Sequence, residues 1–105
     1  MSEQQPAPTI AQLNDAFRRT TKQIMITAGI DDLPDTGGLI QAVREFDDFS
    51  ADNNPYKEHE FGALDWQDER VFWKIDYYDQ ALQDGEDPLS PNCRRVLTVM
   101  LSAEY

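Results

Sequence analysis

The apolar residues of this chain change their period along its length, and each change marks an element. Ile10, Leu13, Ala16 and Phe17 fall on one helical face. Thr9 precedes them with Gln12 three positions on, the arrangement of a capping box. Arg18, Arg19 and Lys22 follow where a helix dipole favours cations. The pattern predicts a helix over 9–20. Ile24 and Ile26 then alternate with Met25 and Thr27, predicting a short strand over 23–28 closed by Gly29. The stretch DDLPDTGG is turn-forming, and Asp35 or Thr36 is placed to cap a second helix over 37–47, with Leu39, Ile40, Val43 and Phe46 as its buried stripe.

Residues 48–60 keep no period, and Asn53, Asn54 and Pro55 predict a turn there. FGALDW and RVFWKIDYY read as two strands of a hairpin that turns at Gln67, Asp68 and Glu69. Gly85, Pro88 and Pro91 predict an exposed loop over 83–92. RRVLTVML is an almost unbroken apolar run, which suits a central strand. The order is α-β-α-β-β-β. It predicts an α+β fold with an antiparallel or mixed sheet of about four strands and two helices packed on one face. Residues 1–8 (MSEQQPAP) are expected to form a disordered leader, and 9–105 a single domain.

Within the hairpin, VFWKIDYYDQ sets two faces apart. Val71, Trp73, Ile75 and Tyr77 point one way, wholly apolar or aromatic, and are expected to lie under the helices. Phe72, Lys74, Asp76 and Tyr78 point the other way. That second face is either an ordinary half-exposed sheet surface or a recognition surface built on aromatic rings. Lys74 and Asp76 are too close along the strand for their pairing to count for much; cross-strand partners would count more.

Charge changes the functional picture. The chain carries 20 acids against nine bases, a net charge of -11. The span 31–90 alone holds 17 acids and four bases, so the acidity belongs to the middle of the chain. Such a surface repels nucleic acid and attracts basic proteins, although acidity also serves solubility or a salty cytoplasm. A lone cysteine, Cys93, builds no internal disulfide, and no apolar run reaches membrane-spanning length. A cytoplasmic protein with no membrane contact is expected.

Most site chemistries fail on residue counts. Zinc needs four Cys or His ligands, and the chain offers Cys93 and His59. Asp48, Ser50, Asp52 and Asn54 alternate like the start of a calcium loop, but Asn53 stands where the glycine belongs and His59 where the bidentate glutamate belongs. Arg94 and Arg95 would lower the pKa of Cys93, yet nothing beside it forms a nucleophile motif. No phosphate-cradling loop is present, and no cofactor is implied. Acid/base chemistry is the surviving enzymatic option. Glu58, His59 and Glu60 precede a strand, Asp76 and Asp79 lie in the hairpin, Tyr56 and Tyr78 supply hydroxyls, and His59 meeting Asp76 in a cleft would make an oriented general base.

FDDFSADNNPY, PYKEHEFG, VFWKIDYYD and RVLTVMLSAEY together resemble a family of small bacterial proteins of unknown function. The similarity extends from the LNDAFRRT helix to the terminal EY. It implies a setting on plasmids and other mobile elements, hence conflict or maintenance functions, and it implies no activity, cofactor or catalytic residue.

Two functions follow. In the first, the chain is an acidic interaction module that binds a basic nucleic-acid-binding protein in place of nucleic acid. Asp47, Asp48, Asp52, Glu58, Glu60, Asp76 and Asp79 would supply charge, with Tyr56 and Tyr78 as anchors. In the second it is a small enzyme or ligand-binding domain using His59 and nearby carboxylates. A concave site at His59 favours the second, and a convex acidic face the first. A homodimer through the sheet face or the RVLTVML edge is compatible with both.

Overall fold

The computed structural model describes residues 7–49 and 58–105. Helix α1 (Ile10–Thr20) begins at the expected box: Thr9 Oγ1 accepts from the Gln12 amide at 3.1 Å, and Gln12 Oε1 accepts from the Thr9 amide at 2.9 Å. Strand β1 (Ile24–Ile26) is shorter than predicted. Thr27 then starts a one-turn helix α2 (Ala28–Asp31), where the end of the strand, its closing Gly29 and the start of a turn were expected. Gly29 fits there because a Cβ would sit 2.6 Å from Leu101 Cδ1. Asp35 takes a left-handed conformation (φ 56°) and caps α3 (Thr36–Glu45) by accepting from the Gly38 amide at 3.1 Å.

Strands β2 (Phe61–Trp66) and β3 (Glu69–Tyr78) form the hairpin. Its turn residues Gln67 and Asp68 have φ of 52° and 64°, the pair of left-handed conformations of a type I′ turn that matches strand twist. β4 (Arg94–Leu101) is followed by a 3-10 turn, Ser102–Glu104. The sheet order is β1-β4-β3-β2, with β1 parallel to β4 and the other pairs antiparallel. The fold is therefore α+β with a mixed four-stranded sheet. β4 is interior, as its apolar run requires, so RVLTVML offers no free edge over the residues that pair on both sides, Leu97 to Val99.

Helices cover one face. Ile30, Leu39 and Val43 pack on Val71, Trp73, Ile75, Leu97 and Val99, all essentially inaccessible. The apolar face of β3 thus lies under the helices, with Tyr77 at its margin. Gly62 pairs with Trp73, and a Cβ there would overlap the indole. The opposite face displays Phe61, Phe72, Lys74, Asp76, Tyr78, Val96, Thr98 and Met25 by register. Tyr105 caps one end of it, with ring centroids 5.6 Å from Phe72 and 6.0 Å from Phe61.

Two expectations fail for tertiary reasons. On α1 the buried residues are Asn14 and Arg18, while Ala16 is exposed. Arg18 does not serve the C-terminus of its own helix. Its guanidinium reaches that of α3, where Nε donates to the Val43 carbonyl at 3.0 Å and Nη2 to the Phe46 carbonyl at 2.8 Å. Lys74 and Asp76 do pair, at 2.9 Å. The cross-strand neighbours of Lys74 are Phe61 and Thr98, and Asp76 faces Val96, so neither has a charged competitor. The pair raises the Lys74 pKa.

Candidate functional site

The chain enters β2 through Glu58, His59 and Glu60, and His59 adopts φ 57°. That left-handed residue turns the imidazole back toward α1. His59 stacks on Phe49 with ring centroids 3.7 Å apart and planes 4° apart, and its Nδ1 lies 2.9 and 3.0 Å from the two Asp15 carboxylate oxygens. Asp15 also accepts from Arg18 Nη1 at 3.0 Å. The Arg18 guanidinium sits 4.8 Å from the Trp73 ring centroid and 5.3 Å from that of Phe49. Burial lowers the Arg18 pKa, partly offset by Asp15.

One helical turn earlier, Asn14 joins three segments. Its Nδ2 donates to the Glu58 carbonyl at 2.9 Å and to the Tyr77 hydroxyl at 2.8 Å, and its Oδ1 accepts from Arg95 Nε at 2.6 Å. These bonds explain why an amide and a guanidinium occupy α1's buried face: each satisfies carbonyls distant in sequence. Burial pushes the Tyr77 hydroxyl up, the Asn14 bond pulls it down, and the Glu58 and Glu60 charges push it further up.

Glu60 holds the largest perturbation. Burial, then a side-chain hydrogen bond with Glu58 and its charge, push the Glu60 pKa from 4.5 up to about 7. Glu60 Oε2 is buried and meets no donor among the described residues. Burial without a donor disfavours the charged form. A bond between two carboxyls exists only when one carries a proton, so the neutral form of Glu60 is the one this site favours.

The predicted site residues do not converge. Glu58, His59 and Glu60 gather with Asn14, Asp15 and Tyr77 on the helix-covered side. Asp76 and Tyr78 are on the opposite face, so His59 pairs with Asp15 and not with Asp76. Asp79 shapes a loop, accepting from the Gln83 amide at 3.0 Å. Asp47 and Asp48 are exposed after α3. Asp52, Tyr56 and most of the calcium-like run lie outside the described residues. Cys93 is less acidic than expected: burial raises its pKa, Glu86 and Asp87 add to this, and Arg95 only partly opposes it. Asn14, Asp15 and Tyr77 were missed. The clue available was two polar residues, Asn14 and Arg18, at helical i, i+4 spacing beside an apolar stripe.

The model of a family described as a protein of unknown function (DUF3768) matches residues 26–104, from β1 to the terminal turn. The chain belongs to this family. Helix α1, which supplies Asn14, Asp15 and Arg18, lies outside the matched span. No curated protein and no solved structure matches the chain.

Proposed function

We propose that this member of the family is an acidic protein-binding module whose partner is a basic, nucleic-acid-binding protein. The observation that carries this is the sheet face without a helical cover among the described residues. It presents Phe61, Phe72 and Tyr78 around the Lys74–Asp76 pair, on a chain of net charge -11. Aromatic rings give contact area at low entropic cost, and a negative field speeds encounter with a cationic surface. In its finer form the proposal is nucleic-acid mimicry. Carboxylates meet the groove a partner uses for phosphates, which would inhibit a host defence protein. Asp47, Asp48, Asp76 and Asp79 are spread over several elements, which favours action through the summed field over one aligned row.

A tagged chain used as bait in host lysate at low and high salt tests this, with captured proteins identified by mass spectrometry. The expected result is one basic nucleic-acid-binding protein, released by salt, displaced by duplex DNA and weakened by Asp76→Lys. Capture that stays flat as salt rises, or that DNA leaves unchanged, refutes mimicry.

A second function is favoured by Glu60, whose pKa of about 7 suits proton transfer beside the Asp15–His59 pair. It is a small enzyme or ligand-binding domain centred on these groups. A saturable thermal shift with a small molecule, abolished by Glu60→Gln or His59→Gln, supports it; shifts indifferent to both substitutions refute it.

A further inference from the structure

The sheet contains a length mismatch. β4 begins at Arg94, yet β1 begins only at Ile24, which pairs with Leu97. Residues 94–96 therefore have no strand beside them on the β1 side, and the end of α1 with Thr21 and Gln23 stands off from the gap. A cleft of 380 Å³ fills it, and an adjoining depression of 390 Å³ shares Phe17, Gln23, Arg94 and Arg95 with it. This volume is within the range of small-molecule sites.

The lining is unlike the rest of the molecule. In a chain with 20 acids and nine bases, neither concavity is lined by a carboxylate among the described residues, and both are lined by two arginines. The Arg94 side chain is exposed and makes no hydrogen bond or ion pair among the described residues. Arg95 spends donors on the Asn14 side chain, the Cys93 sulfur and the Pro88 carbonyl, none of which is an anion, so its positive charge is not neutralised by a paired carboxylate. Besides Thr21 and Gln23, the other walls of the cleft are apolar or aromatic: Phe17, Met25, Tyr78, Leu82 and Val96. Met25 is 61% exposed and Leu82 is 43% exposed. Leu82 is also held at φ 58°, a costly conformation for a branched apolar residue, and its side chain lines the cleft.

We propose that this cleft binds a small organic anion with an apolar body. The carboxylate of the ligand is held by the five unspent donors of Arg94, with the charge of Arg95 behind it, and the body lies against Phe17, Met25 and Leu82. A planar guanidinium matches a carboxylate in two parallel bonds, which a neutral amide of the same shape does not reproduce. The cleft lies at the β1 edge of the open sheet surface, sharing Met25, Tyr78 and Val96 with it, and it contains none of the Glu58–His59–Glu60 side chains.

The test is a titration of the isotopically labelled full chain with 3-phenylpropionate, its neutral amide and 2-phenylethylamine at low salt, read by amide chemical shifts. The acid is expected to give saturable shifts at Gln23, Arg94, Arg95 and Val96, with the amide and the amine about tenfold weaker or more. Arg94→Gln and Met25→Glu alter exposed side chains, so folding is retained. Each is expected to bring the acid down to the level of the amide. Equal binding of acid and amide, shifts located elsewhere, or an acid affinity unchanged in Arg94→Gln would overturn the assignment.

Discussion

Replacing Glu60 by glutamine should make the protein more stable, and only above the ordinary carboxylate range. The native environment lifts the Glu60 pKa from 4.5 to about 7, first through burial and then through Glu58. The sign follows from the proton count. Below pH 4.5 both folded and unfolded chains are protonated at this position, and the group is neutral to stability. Between 4.5 and about 7 the unfolded chain releases the proton while the folded one keeps it, so stability falls as pH rises and stays reduced above about 7. Each pKa unit corresponds to about 1.36 kcal/mol, which gives an upper bound of about 3.4 kcal/mol. Glu60 is only partly buried, so solvent screening reduces the expected penalty to about 1–2 kcal/mol. Glutamine imitates the protonated side chain. Urea denaturation of both proteins at pH 5 and pH 8 isolates the effect, because His59 and the other titrating groups are common to both. Glu60→Gln should match the parent within about 0.5 kcal/mol at pH 5 and exceed it by about 1–2 kcal/mol at pH 8. A stability difference that is the same at the two pH values would refute the assignment of a raised pKa to Glu60.

Other substitutions test separate parts of the fold. Arg18→Met keeps the apolar stem but strands the Val43 and Phe46 carbonyls and removes a bond from Asp15, and should cost about 3 kcal/mol in urea denaturation; a loss below about 1 kcal/mol would show that the buried guanidinium is dispensable. Gly62→Ala drives a methyl into the Trp73 indole and should cost about 1–3 kcal/mol with a changed near-ultraviolet circular dichroism, and an unchanged spectrum would argue against that close approach. Asp68→Gly relieves a left-handed aspartate in the hairpin turn and should stabilise by about 0.5–1 kcal/mol at neutral pH. Glu104 accepts from Thr27 Oγ1 at 2.6 Å and from the Leu101 and Gly29 amides at 2.9 and 3.1 Å, which lowers its pKa. Its stabilisation is present above the ordinary carboxylate range and lost as pH falls through the lowered pKa, so Glu104→Gln should reduce Tm at pH 7 and the gap should close in acid.

What was legible in the sequence was local. The Thr9–Gln12 box, the Asp35 cap, the hairpin turn and the two faces of β3 each follow from residues within one or two turns of one another. The unreadable parts depend on distance. The sequence reading matched His59 with Asp76 of the hairpin, but its contact is Asp15, 44 residues away on another element. Continuing the β2–β3 register would set position 59 across from Asp76, and the left-handed φ of His59 is what turns its ring to the helix-covered side instead. The polar face of α1 was hidden for the complementary reason. Asn14 and Arg18 are stable in the interior only because Glu58, Val43 and Phe46 present carbonyls there, and no periodicity of α1 records that.

The matched span and the polar cluster together imply a division of labour within the chain. Residues 26–104 contain most of the sheet, α2 and α3, yet the groups that satisfy Glu58, Tyr77 and Arg95 come from α1, outside that span. Without α1, the Arg95 guanidinium would lose its bond to Asn14, His59 would lose Asp15, and the indole of Trp73 would lose the Arg18 plane above it. The Arg95 end of the cleft and the raised Glu60 pKa would then change together, because Asn14 bonds both to Arg95 and to the Glu58 carbonyl. Asn14 is therefore the physical link between the two regions. An Asn14→Leu chain that folds should alter both the Glu60 titration and anion binding at Arg94, and an effect on only one of them would show that the regions are energetically independent.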